Sequence, residues 1–226
     1  MIVQRATLAF AAITQAVLLA ATVQAGVVQL YNGAVGELSV DSGFAAATAS
    51  QAKESIDFDN DGFVFTSNVA TIPADCYWAK GVTLLNLEAR KYPSNETSWT
   101  HSPPVGAWHT GFPDSITTPY SFVFTQPVAS VGMFANDLEA SLTATVYFAT
   151  GTETFLIPAS GGASISQFHG FVTGRNIIHR IDFTTVDYHG IDDIQFGHVV
   201  PEPGTLVLLF AGVMALLARG RRGRRA

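Results

Sequence analysis

The chain has 226 residues, 48% of them hydrophobic and 13% charged, with a formal net charge of −6. Residues 26–200 alone hold 6 basic and 17 acidic side chains, a net of −11, which disfavours nucleic acid and anionic membranes and suits neutral sugars or divalent cations. Cys76 is the only cysteine, so no internal disulfide can form, and an exported domain would rest on its core with metal as an addition.

Residues 1–25 have the layout of a secretory signal peptide. Arg5 supplies the positive start, Ala6 to Ala21 form the apolar stretch, and Val23-Gln24-Ala25 places small residues ahead of a cut before Gly26. A signal helix is therefore expected at the N-terminus.

Residues 26–198 have the length of one domain and patterns of strands. Expected strands cover Gly26 to Tyr31, Lys53 to Phe58, Gly62 to Thr66, Gly81 to Arg90, Tyr120 to Thr125 and Ala129 to Ala135. Further on they cover Ser141 to Phe148, Thr152 to Ile157, Phe168 to Thr173, Ile177 to Thr184 and Ile191 to Gly197. Alternation puts Leu142, Ala144, Val146 and Phe148 on one face, and likewise Ile177, His179, Ile181 and Phe183. Only the Ala-rich stretch Phe44 to Lys53 suggests a short helix. Many short strands with Gly and Pro punctuation predict an all-β fold, a single antiparallel β-sandwich resembling a jelly roll.

Asp57, Asp59 and Asp61 before Gly62 match the opening of a calcium loop, because alternate carboxylates before a glycine turn can aim several hard oxygens at one cation. The twelfth position is Asn68 rather than a bidentate Glu, and the flanks are strand-like, so an EF-hand is ruled out. Asp192 and Asp193 lie near the domain's end, where a last strand returns beside an early one. These five aspartates are the candidate ligands of a structural calcium, and ordinary turn carboxylates are the competing reading.

All three tryptophans fall between Trp78 and Trp108. The stretch Lys91 to Pro119 holds five prolines and no clear periodicity, which predicts a long loop of the kind that is usually functional. Trp78, Tyr92, Trp99 and Trp108 are the candidate residues for stacking on sugar rings, with packing as a lid over the sandwich as the alternative. No nucleophile elbow, HExxH helix or phosphate loop is present. The expectation is a protein without catalysis. The alternative is a polysaccharide-acting hydrolase or lyase with the Trp-rich loop as its cleft.

Residues 199–226 close the chain. Pro201, Glu202 and Pro203 make an extended stretch that cannot join a helix. The uncharged run Gly204 to Ala218 has 15 residues, enough for about 22 Å of helix against a ~30 Å hydrocarbon core. Arg219, Arg221, Arg222, Arg224 and Arg225 follow and hold the end of the chain in the cytoplasm. A short transmembrane helix of this kind is a handle for processing rather than a firm anchor.

Val200-Pro201-Glu202-Pro203-Gly204-Thr205-Leu206, the apolar run and the terminal arginines closely resemble the PEP-CTERM sorting signal of Gram-negative bacteria. The resemblance implies export, transient lodging in the inner membrane, processing by an exosortase-type enzyme, and a final place at the cell surface or outside it, in bacteria that make exopolysaccharide. Ser121 to Val128, Phe168-His-Gly-Phe171 and Gly190 to Gly197 also resemble the body of many such proteins, which are described as exported β-sandwiches without assigned activity. The partners so implied are the processing enzyme and extracellular polysaccharide.

Overall fold

The computed structural model describes residues 28–60, 63–65, 68–91, 101–102, 104–110, 118–161, 165–200 and 212. The expected signal segment 1–25 and nearly all of the C-terminal segment 201–226 lie outside them. Among the described residues no helix is long and apolar enough to cross a membrane.

Thirteen strands follow in chain order. They are β1 (Gln29–Asn32), β2 (Gln51–Ile56), β3 (Val69–Thr71), β4 (Val82–Leu85), β5 (Leu87–Lys91), β6 (Val105–His109) and β7 (Tyr120–Val128). The remainder are β8 (Ser130–Asn136), β9 (Leu142–Phe148), β10 (Gly151–Ile157), β11 (Ser166–Val172), β12 (Ile178–Thr184) and β13 (Gly190–Val199). The larger sheet has the order β1-β11-β8-β13-β6-β5-β3, with β2 also pairing β13, and the smaller sheet has the order β10-β9-β12-β7-β4. All pairings are antiparallel.

The two sheets share one core. Phe122, Phe124 and Phe183 of the smaller sheet meet Phe171 and Phe196 of the larger, with ring centroids 5.3 Å apart for Phe124–Phe196 and 6.4 Å for Phe171–Phe183. Side chains of alternate parity fill it, as Leu142, Ala144 and Val146 do on β9. The expected β-sandwich is thus the architecture observed.

The opposite face of the larger sheet carries a second, smaller core. Helix α1 (Ser42–Ala47) is capped by Asp41, whose side chain accepts from the Phe44 N–H at 2.9 Å. It drops Phe44 onto Phe134, Phe168 and Val172. The sheet makes room with glycine: a Cβ on Gly170 would lie 2.4 Å from the Phe44 ring, and one on Gly132 would lie 2.5 Å from Phe168.

Several expected elements differ. Gly81 to Arg90 is two strands in two sheets, β4 and β5, because Asn86 between them takes a left-handed φ of 59° and hands the chain across the sandwich. The run expected as a strand at Gly62 to Thr66 has none among its described residues. The expected long loop contains β6, buried on both faces, so it lacks the apolar–polar alternation that marks a half-exposed strand. On β12 a register shift between Ile178 and Arg180 makes Ile178, not Ile177, the core residue beside Ile181 and Phe183. Cys76, the sole cysteine, is exposed.

Candidate functional site

Strand β6 sends Val105 and Ala107 into the shared core and Trp108 to the opposite face of the larger sheet. Pairing sets Trp108 beside Glu88 of β5 and Gly190 of β13, and Gly190 in turn beside Asn136 of β8, which faces Ser166 of β11. Five strands therefore align one row, at about 4.8 Å per strand. The Tyr188 ring lies 4.5 Å from Trp108, and the Arg90 guanidinium lies 5.3 Å from the Tyr188 centroid. Arg90 donates through Nε (2.8 Å) and NH2 (2.6 Å) to Glu88 Oε1.

Asn136 is 1% exposed, and among the described residues neither its Nδ2 nor its Oδ1 has a hydrogen-bond partner; Ser166 Oγ also lacks one there. Unmet buried amide atoms cost roughly 1–3 kcal/mol, so they mark places where a hydroxyl or water belongs. The half-buried Tyr188 ring and the planar Glu88–Arg90 pair on one face suit a sugar, which offers apolar C–H faces and many hydroxyls. Glu88, Arg90, Asn136 and Tyr188 have no shared sequence signal, since three separate segments supply them.

Of the aromatic candidates, Trp108 is 0% exposed and packed, while Trp78 is 68% exposed on a 3-10 turn. Tyr92 and Trp99 lie outside the described residues. The expected single aromatic patch is therefore not what Trp78 and Trp108 form. A cleft of about 210 Å³ opens beside Phe58, Asp59, Phe63, Phe65, Lys91 and Val105. Asp59 is the one carboxylate among its described lining residues.

The fold does bring the candidate aspartates together. Pairing of Ile56 with Ile194 lays the end of β2 beside the start of a bulge in β13, where Asp193 has a φ of 45°. That bulge turns Ile191 and Ile194 to the same face and leaves Asp192 fully buried on the other. Asp57 accepts from the Asp59 N–H (2.9 Å), and Asp59 accepts from the Val105 N–H (2.7 Å). Asp192 accepts from the Ser102 N–H (2.8 Å), the Ser102 hydroxyl (3.2 Å) and the Asp193 N–H (2.9 Å). Asp193 pairs with His101, whose ring stacks on Phe134.

Burial, then the neighbouring Asp193 charge, push the Asp192 carboxyl up to about 7, with the hydrogen bonds from Ser102 and Asp193 opposing. Asp59 is raised by burial and by Asp57 and Asp193, against the Val105 hydrogen bond. Burial would lower His101, but its bonds to Asp193 and the Leu38 carbonyl carry it above the ordinary imidazole value. Among the described residues no three of His, Cys, Asp and Glu are set to hold a metal ion; Asp61 lies outside them.

At the C-terminal end of β13, Asn176 clasps Val199. Its Oδ1 accepts from the Val199 N–H (2.8 Å) and its Nδ2 donates to the Val199 carbonyl (3.2 Å). Pro201, Glu202 and Pro203, which follow, lie outside the described residues.

Comparison with known proteins agrees with this end of the chain. Residues 199–222 match the family model described as the PEP-CTERM protein-sorting motif. No curated protein matches the chain. Among solved structures, the K2 cleaved adhesin domain of Lys-gingipain is similar at 13% identity and a TM-score of 0.40, covering 64% of this chain and 97% of that one. The K1 cleaved adhesin domain of Lys-gingipain from Porphyromonas gingivalis W83 gives 12% and 0.29, covering 65% and 98%. TmCBM61 in complex with beta-1,4-galactotriose gives 12% and 0.24, covering 53% and 83%. Likenesses at these scores are too weak to transfer either fold or function.

Proposed function

We propose that this chain is exported through its N-terminal segment, lodged briefly in the inner membrane of a Gram-negative bacterium and cut by an exosortase-type enzyme. It is then left at the cell surface or in the extracellular matrix as a non-catalytic polysaccharide-binding sandwich. The observation that carries this reading is the matched sorting motif, which starts on Val199, the last residue of β13. Everything after that residue can be removed without touching a core strand. Intact mass of the exported protein is expected to lack the segment beyond Pro201-Glu202-Pro203. Recovery of the arginine tail on mature protein would overturn the sorting half of the proposal.

The strand orders β6-β13-β8-β11 and β7-β12-β9-β10 support reading the sandwich as a jelly roll. We propose the Trp108 face of the larger sheet for polysaccharide binding, where the half-buried Glu88, Arg90 and Tyr188 lie around the buried Trp108. Binding of the processed protein to a panel of neutral bacterial exopolysaccharides is expected, with Arg90→Ala weakening it about tenfold, the effect of one or two hydrogen bonds. No binding across the panel would leave the domain structural. Release of reducing or unsaturated sugar ends would replace the proposal with a hydrolase or lyase. The corner formed by Asp57, Asp59, Asp192 and Asp193 is proposed to take calcium, since burial, and after it the neighbouring carboxylate charges, raise Asp59 and Asp192 and a bound cation would offset both.

A further inference from the structure

The smaller sheet ends on β10, and we propose that β10 is a self-association edge through which two copies of this chain pair antiparallel about a twofold axis at Thr154.

The sheet edges differ in how they are protected. On the larger sheet β1 has four residues and β3 three. Edge strand β2 exposes Lys53 and Glu54, and its Ser55 carbonyl is taken by Lys80 Nζ at 2.7 Å. On the smaller sheet β4 has four residues. Strand β10 has seven, GTETFLI, with one charge, no lysine and no internal proline. Its register with β9 runs unbroken from Gly151↔Phe148 to Ile157↔Leu142, so no bulge twists it away. Among the described residues no strand or backbone hydrogen bond covers its other side. Long, straight, nearly uncharged edges are the ones that recruit another strand.

The occupant follows from the side chains. Glu153 and Phe155 lean toward the core side, where Phe155 packs 5.6 Å from Phe171, while Thr152, Thr154 and Leu156 are exposed, Leu156 at 65%. A twofold axis requires one residue to face itself. Centring on Thr154 pairs Thr154 with Thr154, Glu153 with Phe155 and Thr152 with Leu156 of the second copy. Centring on Glu153 would oppose like charges, which destabilises a pair. Centring on Phe155 would set Glu153 against Ile157, which is fully buried. Centring on Leu156 would bring Thr154 opposite Pro158, which has no N–H to give. The strand is thus complementary to itself in one register, which singles out a second copy as the partner. A seven-residue strand spans about 24 Å, a small interface, so pairing is expected at micromolar rather than nanomolar concentration. The net charge of −11 opposes approach and is screened within about 8 Å at physiological salt, so added salt should strengthen the dimer.

The test uses the exported, processed protein with Cys76→Ser to remove the native thiol. In analytical ultracentrifugation from 1 to 500 µM (about the micromolar window argued above) the mass should double, and more readily in higher salt. Leu156→Lys should remain monomeric with its melting temperature at high dilution unchanged. On mild oxidation Thr154→Cys alone should form a covalent dimer, because facing Cα atoms in antiparallel strands lie within disulfide reach. Thr152→Cys and Leu156→Cys should each fail alone and cross-link when mixed. A monomer throughout, a dimer that survives Leu156→Lys, or equal cross-linking at all three positions would overturn the proposal.

Discussion

Trp108→Ala is expected to destabilise the domain by about 3–5 kcal/mol, the cost of emptying a large buried aromatic site. Trp108 is fully buried, with Tyr188 at 4.5 Å and the Glu88–Arg90 pair on its flank. For a domain of this size each kcal/mol moves the midpoint by roughly 2–4 °C, so thermal melting should fall by about 10 °C or more. Trp78→Ala is the control: its side chain is exposed, and such substitutions stay within about 0.5 kcal/mol. A Trp108→Ala protein that melts like the parent but loses polysaccharide binding would make Trp108 a presented recognition residue instead of a packed one.

Stability is expected to rise from pH 4 to about 6.5 and to level off above it, by the balance of opposing titrations. Burial, with a smaller push between the rings, holds His169 down at about 4, and burial likewise holds His189 at about 4 against the Asp187 charge and backbone. Tyr120 donates to or accepts from His189 Nε2 at 2.9 Å inside the same core. Well above the unfolded imidazole value of about 6.5 both states are neutral and the histidines contribute nothing to the pH dependence. As pH falls from there to 4, the unfolded chain binds two protons that the fold refuses, and stability drops.

Asp192 acts in the opposite direction. Its carboxyl is held up at about 7, so as pH rises from about 4 the unfolded chain ionises while the fold keeps its proton. Stability is lost through that window, on the order of 4 kcal/mol in all, and stays lost above it. Two histidine protons outweigh one carboxyl proton below about 6.5, and above it the remaining histidine gain and Asp192 loss nearly cancel. Chemical denaturation from pH 4 to 9 should therefore trace a rise to a plateau, and Asp192→Asn should make the rise steeper and the plateau higher. Millimolar calcium should restore stability at pH 8, where Asp192 is ionised, and do little at pH 5, where it is protonated. A ligand at a hundredfold excess over its Kd adds about 2.7 kcal/mol to the folded state. Identical curves with calcium and chelator would leave the four aspartates as hydrogen-bond acceptors for the loops around them. A parent whose rise below pH 6.5 is as steep as that of Asp192→Asn would show that Asp192 ionises freely in the fold.

What could be read along the chain was whatever depends on neighbours in sequence. Alternation on β9, the Asp41 cap before an Ala-rich turn and the Pro201-Glu202-Pro203 motif ahead of an apolar run are local patterns, and local sterics or solvation decide them. The matched motif at 199–222 and the all-β architecture belong to this class. Contacts between distant segments were not legible. Strand β6 hid inside a proline-studded stretch because both its faces are buried, and periodicity signals only a difference between faces. The φ of Asn86 decided that one predicted strand would be two, and the bulge at Asp193 decided which way Asp192 points. The grouping of Asp57 and Asp59 with Asp192 and Asp193 needed β2 to pair with β13, about 140 residues away along the chain. The row from Ser166 to Glu88 needed five strands in register, and its buried Asn136, unpartnered among the described residues, is visible only once those strands have closed around it. A single sequence records which side chains can be buried; the pairing of strands far apart in the chain settles which of them meet.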